Sequence, residues 1–159
     1  MSVHNVSWNV TSSGLGATDE IEAALNWLTG GFAEISREKV KSYHGSRMML
    51  ISAQINRKKD AKTSICQLGP GLLKELSLSK ELYQKIDAKN VLHIRLRTSS
   101  LVSGSIELSN GSEEQIKGRI KLEVYPGQDP VENARNMLAE SSIRAGEEGF
   151  PIPITDVND

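Results

Sequence analysis

Apolar residues recur at every second position near the start of the chain. Val6, Trp8 and Val10 share one side and Asn5, Ser7 and Asn9 the other, so residues 4–10 predict a strand with one buried face. After Ser12-Ser13-Gly14-Leu15-Gly16, a turn, the period changes. Ile21, Ala24, Leu25 and Leu28 recur at helical spacing, opened by Thr18 with Asp19 and Glu20 and stopped by Gly30-Gly31. Residues 32–41 and 48–56 predict two strands joined by the Tyr43-to-Ser46 turn. In the second, Met49, Ile51, Ala53 and Ile55 oppose Ser52, Gln54 and Asn56. Residues 59–76 predict a helix broken at Gly69-Pro70-Gly71, and 79–87 a shorter one. Leu92, Ile94 and Leu96 alternate with His93, Arg95 and Arg97, giving another strand, and 101–108 predict one more. Asn110-Gly111 marks a turn before the cleanest strand, 115–125. There Ile116, Ile120, Leu122 and Val124 point inward, and Lys117, Arg119, Lys121 and Glu123 outward. Asp129-Pro130-Val131-Glu132 opens a last helix with an acid at the cap and Pro in the first turn.

The order β-α-β-β-α-β-β-β-α predicts an α+β fold, a mainly antiparallel sheet with helices packed on one face. Residues 1–140 are expected to form a single domain. Residues 141–159, which include Gly-Glu-Glu-Gly and Pro-Ile-Pro, are expected to form an acidic, flexible tail. The alternating apolar side chains of Phe150–Ile154 also make that tail a candidate docking peptide.

The outward residues then define the other face of the sheet. They are Asn5, Ser7, Asn9, Ser52, Gln54, Asn56, His93, Arg95, Arg97, Lys117, Arg119 and Lys121. Five of these are cations, and no carboxylate joins them before Glu123. Guanidinium and ammonium groups beside amides and hydroxyls suit phosphate and sugar contacts. A solvated sheet face is polar in any case, so the list alone leaves a plain solvent face and a nucleic-acid surface both open. An RRM platform is excluded, because its exposed aromatics are missing here apart from Tyr125 at the rim.

Charge sharpens the picture. The net charge is −1, but residues 32–62 hold eight cations (Arg37, Lys39, Lys41, Arg47, Arg57, Lys58, Lys59, Lys62) against Glu34, Glu38 and Asp60. From residue 139 onward five acids face the single Arg144. A basic domain with an acidic tail points first to a polyanionic partner, with RNA the obvious candidate.

The length of 159 residues fits one domain. No apolar run reaches a membrane span and the N-terminus lacks a signal-peptide pattern, so a cytoplasmic protein is expected. The single cysteine, Cys66, fits a helix's apolar face and forms no internal disulfide. His4, His44 and His93 lie far apart, so no metal is expected, and no cofactor. Gly14-Leu15-Gly16 is followed by Asp19 where a dinucleotide fold needs its third glycine, and it reads as a helix-entry turn. No nucleophile and base declare themselves, so an enzyme is not expected. Lys58-Lys59-Asp60 opens a helix, either as a phosphate contact or as a solvated N-terminus.

Glu34-Ile35-Ser36-Arg37-Glu38, the Tyr43-His44-Gly45 turn, Ile55-Asn56-Arg57-Lys58-Lys59-Asp60 and Lys121-Leu122-Glu123-Val124-Tyr125-Pro126 occur together in one order. In this the chain resembles, over about residues 3–140, an archaeal family of RNA-binding, exosome-associated proteins. The resemblance implies an archaeal cytoplasmic protein with a fold like the 5S-RNA-binding large-subunit ribosomal protein. The combined expectation is a non-catalytic RNA-binding accessory protein tied to RNA processing. Its contact residues would be Arg37, Lys39, Arg47, Arg57, Lys58, Lys59, Arg95, Arg97, Lys117, Arg119 and Lys121. The alternative is a protein-interaction or dimerisation module using the open face or a strand edge.

Overall fold

The computed structural model describes residues 3–13, 18–41, 45 and 47–153. The strands are β1 (Val3–Ser13), β2 (Glu34–Lys41), β3 (Arg47–Ile55), β4 (Val91–Arg97) and β5 (Gln115–Leu122). All neighbours run antiparallel in the order β2-β3-β1-β5-β4. The helices are α1 (Thr18–Leu28), α2 (Lys58–Cys66), α3 (Pro70–Leu78), α4 (Thr98–Val102) and α5 (Pro130–Glu148), with a 3-10 turn at Leu82–Lys85. The chain is therefore α+β, with helices packed against one face of an antiparallel sheet. The Gly14–Gly16 turn and residues 43, 44 and 46 of the basic turn lie outside the described residues.

The period-two alternation builds the core. Val6, Trp8 and Val10 of β1, Ile51, Ala53 and Ile55 of β3, Ile116 and Ile120 of β5, and Ile94 and Leu96 of β4 are all buried. Ile21, Leu25 and Leu28 of α1, Ala61 and Ile65 of α2 and Leu138 of α5 meet them from the helical side. Gly118 is required in that layer. A β-carbon there would stand 2.3 Å from Cζ3 of Trp8, its partner across the strands. The indole lies on the bare backbone of β5, between Ile116 and Ile120.

Helix boundaries follow their local chemistry. Gly30 and Gly31 take positive φ and end α1. Asp129 accepts the Val131 N–H at 3.0 Å, and Pro130 takes the first position of α5.

Residues 101–108 do not form a strand. Thr98–Val102 is one helical turn with Leu101 buried, and Gly104 at φ 91° closes it. The segment meets the sheet edge in one isolated bridge, Leu108 opposite Leu96, closed by the Arg97 N–H donating to the Glu107 carbonyl and the Ser109 N–H to the Arg95 carbonyl, each at 2.9 Å. A buried leucine followed by a left-handed glycine is a helix stop, and the apolar alternation on either side imitates a strand. Residues 141–148, expected within the tail, are helical. They continue α5, held by Ser142 Oγ donating to the Pro70 carbonyl (2.7 Å), Arg144 donating to Thr63 Oγ1 (3.2 Å), and burial of Ala145. Gly149 caps the helix in the left-handed region.

Beyond it the chain crosses the helical layer. The buried Gln67 side chain accepts from the Ile152 N–H (2.9 Å) and donates to the Ile152 carbonyl (3.2 Å) and to the Trp27 carbonyl (3.0 Å). Trp27 Nε1 also donates to the Ile152 carbonyl at 2.6 Å. Phe150 packs on the core. The segment proposed as a docking peptide is therefore engaged within its own chain as far as Ile152.

Candidate nucleic-acid interface

Strand register assembles the open face row by row. One row reads Glu34, Gln54, Ser7, Arg119, His93 from β2 to β4, and the next Ser36, Ser52, Asn9, Lys117, Arg95. Asn5 faces Lys121, and at the other end Glu38 faces Leu50, Leu50 faces Thr11, and Gln115 faces Arg97. The outward residues that fall within β1, β3, β4 and β5 lie on this face, but β3 ends before Asn56. Glu123, expected outward, is buried just past the end of β5, where the strand pattern stops and Lys58 of α2 binds it. Two carboxylates belong on the open face as well, Glu34 and Glu38 of β2. The face runs from acidic at β2, through hydroxyls and amides on β3 and β1, to basic on β5 and β4.

The cations differ in what holds them. Lys117 and Arg119 are exposed and have no partner among the described residues. Arg95 Nη1 donates to Gln115 Oε1 at 3.1 Å, which orients the guanidinium without neutralising it. Lys121 donates to the Lys89 carbonyl and keeps its charge. Arg97 is neutralised, bonded to Glu107 (3.1 Å) and Glu113 (3.2 Å). Burial pushes the Glu113 carboxyl up, but hydrogen bonds from Arg97 and Ser109 hold it below its ordinary value. His93 Nε2 lies 2.8 Å from Asp87 Oδ2, and that bond is the main reason the Asp87 carboxyl is lowered to about 2.

The hairpin cations fall elsewhere. Arg37, Lys39 and Lys41 alternate with the open-face residues of β2, so they point to the helical side of the sheet edge, with Arg47 opposite Lys41. Arg37 is clamped by Glu22 and Asp19 of α1, and its guanidinium is held above its ordinary value by those bonds, Glu22 first. Lys58 binds Glu123 at 2.6 Å, a carboxylate with a side chain only 8 % exposed. That bond, with a second from the Tyr125 hydroxyl, lowers the Glu123 pKa. His4 Nδ1 stands 3.7 Å from the same carboxylate. Arg57 and Lys59 at the start of α2 are exposed. Of the eleven candidates, the fold brings Arg95, Arg97, Lys117, Arg119 and Lys121 onto one surface. It sets Arg37, Lys39 and Arg47 on the other side, and it engages Lys58 with Glu123.

Other polar residues border the basic half that sequence reasoning did not single out. A groove of about 700 Å³ runs along β4 beside Gln84, Lys85, His93, Arg95, Asn110 and Gln115. Only Gln115 had a detectable signal, as the first outward position of the 115–125 alternation. Among the described residues no group of three His, Cys, Asp or Glu side chains is placed to hold a metal ion. No helix among them is long and apolar enough to cross a membrane.

Several archaeal proteins share this fold. A DUF54 protein from Methanothermobacter thermautotrophicus superposes with a TM-score of 0.70 at 24 % identity, covering 87 % of this chain and 99 % of its own. DUF54 proteins from Archaeglobus fulgidus (TM-score 0.66, 20 % identity, 90 % and 99 % covered) and Sulfolobus solfataricus (0.61, 12 %, 91 % and 98 %) do likewise. No curated protein matches the sequence. A family model described as RNA binding matches residues 15–124, which include β2 through β5 of the polarised sheet, and the chain belongs to that RNA-binding family.

Proposed function

We propose that this protein binds RNA without acting on it chemically, holding the backbone on the β4–β5 half of its open sheet face. Arg95, Lys117, Arg119 and Lys121 carry the phosphate contacts. The observation that supports this reading is the pair of cations without a partner among the described residues, Lys117 and Arg119, on adjacent outward positions of β5, flanked by Arg95 on β4. Surface cations left without carboxylates are available to polyanions. The serine, asparagine and glutamine side chains on β1 and β3 share that face and would meet the sugar side of the same strand. The resemblance noted in the sequence favours an accessory role in cytoplasmic RNA processing, with the exosome as the candidate complex.

The alternative of self-association through the free β2 edge meets a charge obstacle. Antiparallel edge pairing keeps each side chain on its own face. Two copies of β2 would then set Arg37, Lys39 and Lys41 among one another on one face, and Glu34 and Glu38 on the other.

The test is fluorescence anisotropy with a labelled RNA at low and moderate salt. Binding that weakens with salt, and falls at least about a hundredfold in Arg95→Glu/Arg119→Glu, is expected. Unchanged binding in that double variant would remove the sheet face from the account.

A further inference from the structure

The open face is not flat on its basic side. The groove of about 700 Å³ lies between the Leu82–Lys85 turn and the 108–111 turn. A second groove, about 620 Å³, opens over Asn9, Thr11, Leu50, Glu113 and Lys117. The two adjoin along Arg95, Gln115 and Gly111, which line both. Each is the size of a small-ligand site.

Three polar side chains of the first groove are tethered through one group and leave another without a partner among the described residues. Gln115 Oε1 holds Arg95 at 3.1 Å, and the remaining guanidinium donors have no partner among the described residues. Asn110 Oδ1 accepts from the Ser112 N–H (3.0 Å) and hydroxyl (2.6 Å), and its amide N–H groups have no partner among the described residues. Gln84 Nε2 donates to the Tyr83 hydroxyl at 3.1 Å, and its carbonyl oxygen has no partner among the described residues. In the second groove Glu113 accepts from Arg97 and Ser109 at Oε1, while Oε2 meets the Ser112 hydroxyl at 3.2 Å and keeps acceptor capacity for one more donor. Side-chain amides and a carboxylate are the groups that pair with base edges, and a guanidinium is the group that takes a phosphodiester.

We propose that these grooves are adjoining subsites for two successive unpaired nucleotides, with the phosphodiester between them on Arg95. This rests on the RNA reading above and narrows it to a strand unpaired at this point. The 82–85 and 108–113 turns wall the grooves, so one strand can lay its nucleosides on either side of Arg95. Bases paired in a duplex have their edges turned to each other and cannot enter. Among the described residues no Phe, Tyr or Trp side chain lines either groove, and the His93 ring beside the first is bonded to Asp87, so the bases are held chiefly by their edges. The Glu113 carboxylate accepts from an exocyclic amino group, so the second subsite favours adenine or cytosine over uracil.

The experiment is two-dimensional NMR of the full chain titrated with the dinucleotide ApA, with UpU, with adenosine and with a ten-nucleotide single strand. ApA is expected to shift the side-chain amides of Gln84, Asn110 and Gln115 together. UpU should shift them less, and adenosine should leave the Arg95 side-chain signal unmoved. Arg95→Ala should reduce the ApA affinity at least about fivefold while the ten-mer still shifts Lys117 and Arg119. If ApA moves none of these amides while the ten-mer shifts β5, the subsites are wrong and the RNA-binding face stands. If neither ligand shifts any residue of the face, both readings fall.

Discussion

Residues 32–62 hold the densest run of lysine and arginine in the sequence, yet β2 within it presents Glu34, Ser36 and Glu38 to the open face. At the far side of the sheet, β4 and β5 present Arg95, Lys117, Arg119 and Lys121 to that same face. The hairpin's own cations turn the other way, and Arg37 is spent on Glu22 and Asp19. The difference teaches that charge summed along a strand is the wrong quantity for a surface. A strand sends successive side chains to opposite faces, so a surface feels the charge of one parity alone. In β2 the parities carry opposite signs. In β5 the outward parity is Gln115 followed by three cations with no acid, and the inward one is Ile116, Gly118, Ile120 and Leu122.

The largest expected effect breaks this contrast directly. Arg95→Glu/Arg119→Glu should weaken RNA binding at least about a hundredfold, whereas Lys39→Glu/Arg47→Glu in the hairpin should change it by no more than about threefold. Anisotropy titrations of both variants at one salt concentration check this. Next comes the packing that supports the basic half. Gly118→Ala drives a methyl into the Trp8 indole and should cost about 1–3 kcal/mol of stability, read as a lower urea midpoint with an unchanged slope. A smaller effect sharpens the contrast from the acidic side. Glu34→Gln/Glu38→Gln should tighten binding about two- to fivefold at low salt, an advantage that fades as salt screens the edge.

The smallest effect is in pH. Asp87, beside His93 on the basic half, has its carboxyl lowered to about 2 from 3.8, chiefly by the His93 bond. A depressed carboxylate contributes stability that is complete above its unfolded value and lost as pH falls through its folded one. Part of the fold's stability should therefore disappear between about pH 4 and pH 2. Asp87→Asn should flatten that part of the curve in urea titrations.

Much of this was legible in the sequence. The alternations in residues 4–10, 48–56, 92–97 and 115–125 identified the open face on β1, β3, β4 and β5, because each has a continuous apolar parity to anchor it. Strand β2 has none. Its apolar residues, Ile35 and Val40, sit on opposite parities, so only pairing with β3 shows that Glu34 and Glu38 face outward. The carboxylates that neutralise Arg97 and Lys58 were also hidden. Glu107 and Glu113 reach Arg97 across a turn, and Glu123 reaches Lys58 over 65 residues of chain. The ordered end of α5 was missed because its apolar spacing thins after Leu138. What holds it is polar, Ser142 to Pro70 and Arg144 to Thr63, contacts with no periodic signature.

The claim that one half of the face carries RNA is tested most directly by the salt dependence of binding. The logarithm of affinity would be plotted against the logarithm of salt for the wild type, for Lys117→Ala/Arg119→Ala and for Lys39→Ala/Arg47→Ala. Each lost phosphate contact lowers the slope by roughly 0.7–0.9 unit. The account predicts a slope shallower by about 1.5 units in the first variant and an unchanged slope in the second. An unchanged slope in the β5 variant, with a shallower one in the hairpin variant, would contradict it and move the RNA to the other side of the sheet.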